Sequence, residues 1–140
     1  MTLLAPVEIR GQKFKFIKDN YLSLPFSDER VEILNEISKL IFNNEKINKQ
    51  PECASLGFWL RKGNIKKIEE TYFSNLENNE KIIITPVGSV FHITPTNVDT
   101  MFIYSWALSF LCGNINYVRI TSSRNEVITE IVKILNEVMR

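Results

Sequence analysis

The sequence predicts an α/β fold in which a parallel sheet follows a helical region. Three features of the chain carry that prediction. Residues 89–93 and 115–120 read as strands on either side of a strongly apolar segment, and an amphipathic stripe follows, giving the βαβα rhythm of a parallel sheet with helices on its faces. Residues 27–77 instead show apolar positions at helical spacing. The chain has 140 residues, 44% hydrophobic and 24% charged, which is the make-up of an ordinary globular protein with a core.

Taken in order, residues 7–10 and 13–17 alternate around Gly11 and predict a short β-hairpin. Ser27 reads as an N-cap, with Asp28 and Glu29 in a first turn whose dipole favours acids. Val31, Leu34, Ile37 and Ile41, with Ile33 and Leu40, form the stripe of a first helix ending near Asn43 and Asn44. Pro51 starts a second helix carrying Leu56, Phe58, Trp59 and Leu60. Gly63 and Asn64 read as its break, and Ile65, Ile68, Tyr72, Phe73 and Leu76 place a third stripe along 64–77.

Two strand-like runs, 81–85 and 89–93, flank a Pro86-Val87-Gly88 turn. Residues 98–112 carry apolar side chains on every face, the pattern of a helix buried in the body of a protein. Gly113 and Asn114 predict its C-cap and turn. Ser123 and Glu126 have the spacing of a capping box ahead of a last stripe, Val127 to Val138. The rhythm changes near residue 80, dividing the chain into 1–80, a helical region with a short hairpin, and 81–140, the start of a sheet domain. A doubly wound sheet uses about five or six strands and this one stops at two or three, so the expectation is a chain ending within a domain.

Bulk properties narrow the function. A net charge of +1 lacks the concentrated basic face that nucleic acid requires. Arg61, Lys62, Lys66 and Lys67 are followed at once by Glu69 and Glu70, the composition of a solvated helix face. Two cysteines, Cys53 and Cys112, stand apart from any metal-binding or disulfide spacing, as in a reducing compartment. With no signal-peptide pattern, and an apolar run about half the ~20 residues of a membrane span, a cytoplasmic location is expected.

Four stretches carry a family resemblance: LGFWLRKGNI at 56–65, FHITPTNVDT at 91–100, YSWALS at 104–109 and GNINYVR at 113–119. In order and spacing they resemble the acyl-CoA reductases that supply fatty aldehyde to bacterial luciferase in luminescence, a branch of the aldehyde dehydrogenase superfamily. The resemblance implies an aldehyde-dehydrogenase-like, Rossmann-type parallel sheet, here incomplete. It also implies an oxidoreductase in which a cysteine thiolate takes the acyl group from a fatty acyl-CoA or acyl-carrier thioester and NADPH delivers hydride to release the aldehyde.

Within that resemblance Thr94, Pro95, Thr96 and Asn97 match the superfamily's Pro-Trp-Asn block, with Thr96 in place of tryptophan. Asn97 would donate its amide to the oxygen that becomes negative, a contribution of about 3 kcal/mol per donor. The backbone from Ile93 to Thr96 would lie against the nicotinamide half of NADPH. Arg119 matches the place of a lysine that reaches the adenosine ribose, and its planar fork suits a 2′-phosphate. Ser122 and Ser123 would add donors to an anion near a helix N-terminus. The family's nucleophile is expected downstream of Arg140, leaving this chain inactive by itself.

Plainer readings stand beside these. Asn97 is also a good N-cap for a helix starting at Val98. Arg119 is also a strand-end surface arginine, and Ser122 and Ser123 are also capping residues. His92, the only histidine, points away from its strand neighbours' side and reads as a buried histidine rather than a catalytic base. Cys112, at the end of the apolar helix, reads as a small hydrophobe. A second functional class also fits: a non-catalytic interaction module or subunit of a fatty-acid reductase complex, forming homo-oligomers or docking onto another reductase subunit.

Overall fold

The computed structural model describes residues 23–74, 84–93, 98–120 and 125–139. Among them are five helices and a two-stranded parallel sheet, a mixed α/β arrangement. In chain order these are α1 (Asp28–Asn43), α2 (Pro51–Trp59), α3 (Lys62–Ser74), β1 (Ser89–Ile93), α4 (Met101–Leu111), β2 (Ile115–Arg119) and α5 (Glu126–Val138). The predicted hairpin at 7–17 and the division near residue 80 lie outside the described residues.

Helix α1 forms as its stripe predicts: Val31, Leu34, Ile37 and Ile41 are all buried. It packs against α2, α3, α4 and α5, and one hydrophobic core runs from Val31 through Trp106 to Leu135. Ser27 does occupy the N-cap position, but its hydroxyl is buried without a partner. Just before it, Phe26 takes a left-handed φ of 54°. Its N–H donates to the carbonyl of Leu111 at 2.7 Å, and its ring is buried against Tyr72 and Phe73.

Pro51 opens α2, whose Gly57 faces the Phe42 ring of α1. A Cβ at residue 57 would stand 2.8 Å from that ring. Ser38 fastens the same crossing by donating to the carbonyl of Gly57 at 2.6 Å. The break before α3 falls at Leu60 and Arg61 rather than at Gly63 and Asn64, which lie inside α3. Asn64 holds the corner instead, donating to the Trp59 carbonyl at 2.8 Å.

Residues 84 and 85 carry no strand, contrary to the reading of 81–85 as one; the remainder of that run lies outside the described residues. Pro86 lacks a donor for a ladder. The Asn114 side chain then takes up the N–H groups of Val87 at 2.8 Å and Gly88 at 3.3 Å, and this turn leads into β1. Gly88 has a φ of +100° there.

The two strands pair in parallel, Ser89 opposite Ile115 through to Ile93 opposite Arg119, with α4 as the crossover. Helix α4 begins at Met101, three residues later than expected, and Thr100 occupies its N-cap position, so Asn97 does not cap it. Nor is α4 buried all round. Phe102, Ile103, Trp106, Ala107, Phe110 and Leu111 are buried, while Met101, Ser105 and Leu108 form an exposed stripe.

At its far end Gly113 has a φ of +88°, and a Cβ there would lie 2.1 Å from the Ser23 carbonyl oxygen. Arg30 of α1 reaches this end. Its guanidinium lies 4.4 Å from the centre of the Phe110 ring and donates to the carbonyls of Phe110 and Asn114. A cation there suits the negative end of the helix.

Helix α5 is capped by Asn125, whose Oδ1 accepts from the N–H of Ile128 at 3.0 Å. That overturns the Ser123–Glu126 capping box: Glu126 is the first residue of the helix, not the third. Asparagine caps as well as serine does, so the later residue can take the position. At the helix middle the Glu130 carboxylate receives Lys133 at 2.7 Å, Asn44 at 3.1 Å and Lys46 at 3.1 Å. These donors, Lys133 first, hold its pKa down to about 2.

Candidate functional site

In a parallel sheet with a helical crossover, both strands end on the same edge, and that edge is where such folds gather ligands. Here β1 ends at Ile93 and β2 at Arg119, and the register pairs these two residues directly. Two of the predicted site residues are thereby brought side by side, both exposed. Thr94, Pro95, Thr96, Asn97, Ser122 and Ser123 lie outside the described residues. The Asn125 side-chain amide donates to Asp99, linking the start of α5 to the turn before α4.

The strand faces differ sharply. Phe91 and Ile93 are 58% and 72% exposed, whereas His92 between them is 7% exposed and turned toward α4. His92 Nδ1 lies 2.8 Å from Ser105 Oγ on α4, and Nε2 lies 2.9 Å from Asn116 Oδ1 on β2. Asn116 commits its own amide N–H to the carbonyl of Asn114 at 3.0 Å, which turns its oxygen toward the ring. An amide oxygen only accepts, so the neutral imidazole carries its hydrogen on Nε2. Nδ1 is then left as an acceptor for the Ser105 hydroxyl.

This trio was not found from the sequence, although His92 was read correctly as turned away from its neighbours. The available signal was polar: His92 and Asn116 share one face of the two strands with Val90 and Val118, and Ser105 interrupts an apolar helix.

Neither cysteine has the surroundings of a nucleophile. Burial pushes the Cys53 thiol up to about 11, with the nearby Glu52 carboxylate adding to it, and burial also raises Cys112. A thiolate nucleophile requires the opposite shift. Among the described residues, no group of three or more histidine, cysteine, aspartate or glutamate side chains could hold a metal ion. No described helix is long and apolar enough to cross a membrane. The chain matches no protein-family model, no curated protein and no solved structure.

Proposed function

We propose that this chain is the N-terminal portion of an NADPH-dependent acyl-CoA reductase, built on an aldehyde-dehydrogenase-like Rossmann-type sheet. The observation that supports the reading is the parallel pairing of β1 and β2 across α4, which puts Ile93 and Arg119 together at the carboxyl edge. An antiparallel pair would have separated them. Residues 91–93 and 117–119 thereby end together at the edge where ligands gather in such sheets.

In this reading Asn97 supplies one amide donor to the carbonyl oxygen of a fatty acyl thioester as it gains charge. Ile93, Thr94, Pro95 and Thr96 lie along the nicotinamide half of the cofactor. Arg119 grips the 2′-phosphate, with Ser122 and Ser123 as further anion donors. NADPH supplies the hydride when bound. The acyl-accepting cysteine belongs to a later part of the enzyme, consistent with the raised thiols of Cys53 and Cys112.

The test is a titration of the isotope-labelled chain with NADPH and, separately, NADH, following backbone amide signals. NADPH is expected to move Ile93 and Arg119, and NADH to move them less. No movement with either would overturn the reading. Fatty acyl-CoA with NADPH should give no loss of cofactor absorbance on this chain alone. Turnover abolished by Cys112→Ala would assign the nucleophile to Cys112 instead.

The exposure of Phe91 and Ile93 favours a second reading, a non-catalytic module whose open sheet face docks onto a reductase subunit. A stable complex of defined size with a second reductase chain, together with no response to NADPH, would select it.

A further inference from the structure

We propose that Ser105 is an activated nucleophile that accepts an acyl group from an ester or thioester with an apolar chain, with His92 as its general base. The inference rests only on α4, β1 and β2, and does not depend on the reductase reading. Serine hydroxyls are poor nucleophiles until a base within hydrogen-bond reach takes their proton, and that base must itself be held in the correct tautomer.

Both requirements are met here. The Ser105 hydroxyl lies 2.8 Å from Nδ1 of His92. The Nε2 hydrogen is held by Asn116 at 2.9 Å, and the Asn116 amide is locked by its own bond to the Asn114 carbonyl. An unlocked asparagine could turn its NH₂ to the ring and impose the wrong tautomer; this one is committed elsewhere. The base is buried at 7% exposure, while Ser105 is an exposed residue of α4, so the base is shielded beneath a serine on the surface of the helix.

The surroundings indicate the substrate class. Met101 and Leu108 stand one helical turn to either side of Ser105 on the same exposed stripe, 39% and 46% exposed. An alkyl chain lying along α4 would cover both.

The step balances within the trio and its substrate. Ser105 Oγ bonds to the carbonyl carbon, the hydroxyl proton passes to His92 Nδ1, and the bond to the leaving alcohol or thiol breaks as that group collects the proton. Water then hydrolyses the acyl-serine by the same route, returning the free hydroxyl and a carboxylic acid. Asn116 is a positioning residue throughout.

The experiment uses the full chain and an alkyl fluorophosphonate, with the site of labelling read by peptide mass spectrometry. Labelling at Ser105 is expected, absent in Ser105→Ala and at least tenfold slower in His92→Gln. Labelling that is equally fast in urea, or absent from the folded chain, overturns the proposal. Because the chain has one histidine, its imidazole ¹⁵N signals report on His92 without any substitution. The neutral ring should be the Nε2–H tautomer, retained in Asn116→Asp and lost to a mixture in Asn116→Ala; an Nδ1–H ring in the native chain would refute the assignment. Release of p-nitrophenol should be several-fold faster from the octanoate than from the acetate, and equal rates would refute the role of Met101 and Leu108. No cofactor enters these assays, so their failure and that of the reductase reading are separable.

Discussion

Helices α5 and α4 each follow a strand of the same parallel pair, yet they meet solvent in different ways. On α5 the apolar Val127, Ile128, Ile131, Ile134 and Leu135 are buried together with the charge-paired Glu130, and Glu126, Lys133 and Glu137 face outward. α4 is apolar over more of its surface but leaves Met101 and Leu108 in contact with water. The contrast teaches that hydrophobicity sets how much a helix gains from burial, while the neighbours available set how much is buried. On α4 the deficit is confined to one stripe, and the chemically unusual serine stands in that stripe. On α5 the polar positions are structural, with Asn125 and Glu130 fastening the helix to Asp99, Asn44 and Lys46.

The sharpest way to break that contrast is to cut into the well-covered side. Ile131→Ala removes a fully buried side chain and should cost about 2–5 kcal/mol in urea unfolding followed by circular dichroism. A loss below about 1 kcal/mol would mean that α5 is no better packed than α4. Next in size, Asn125→Ala deletes both the cap and the tie to Asp99, and should cost about 1–2 kcal/mol. Ser123→Ala, by comparison, should leave unfolding unchanged, since Asn125 holds the cap.

A smaller effect is expected from Glu130→Gln, and it depends on pH. The folded pKa of about 2 lies below the ordinary value of 4.5. The charged carboxylate therefore stabilises the fold above about 4.5, and that stability is lost as pH falls toward 2. Acid titration of wild type and Glu130→Gln should show a stability gap near neutral pH that closes toward pH 2; a gap constant with pH would remove the ion pairs from the account. The smallest effect belongs to Leu108→Ser, within about 0.5 kcal/mol, because nearly half of the residue is already exposed. A loss of more than about 1 kcal/mol would show that the α4 stripe is covered after all.

Much of this fold could be read before any coordinates. The spacing of Val31, Leu34, Ile37 and Ile41 gives α1, Pro51 gives the start of α2, and Gly113 gives the left-handed turn after α4, because each signal is local to its own element. The order of strand and helix was enough to expect the parallel pair. Boundaries were harder. Asn125 and Ser123 both make good caps, and only the packed helix decides between them. The strand expected at 81–85 ended in a Thr85-Pro86 step whose following N–H groups are taken by Asn114, a residue 27 positions from Val87. The Ser105–His92–Asn116 trio is of the same kind. Its members are 13 and 24 residues apart in sequence, and periodicity reports which face a residue occupies, not which side chain it meets on another element.

The guanidinium of Arg30 ends α4 from a different part of the chain, 80 residues before the carbonyl it grips. A shortened protein starting at residue 84 would keep α4 but lose the cation at its carboxyl terminus, along with the α1 surface that covers it. Gene dissection between α3 and β1 is therefore expected to yield two insoluble pieces that recover only when co-expressed, because α1 packs against both α4 and α5.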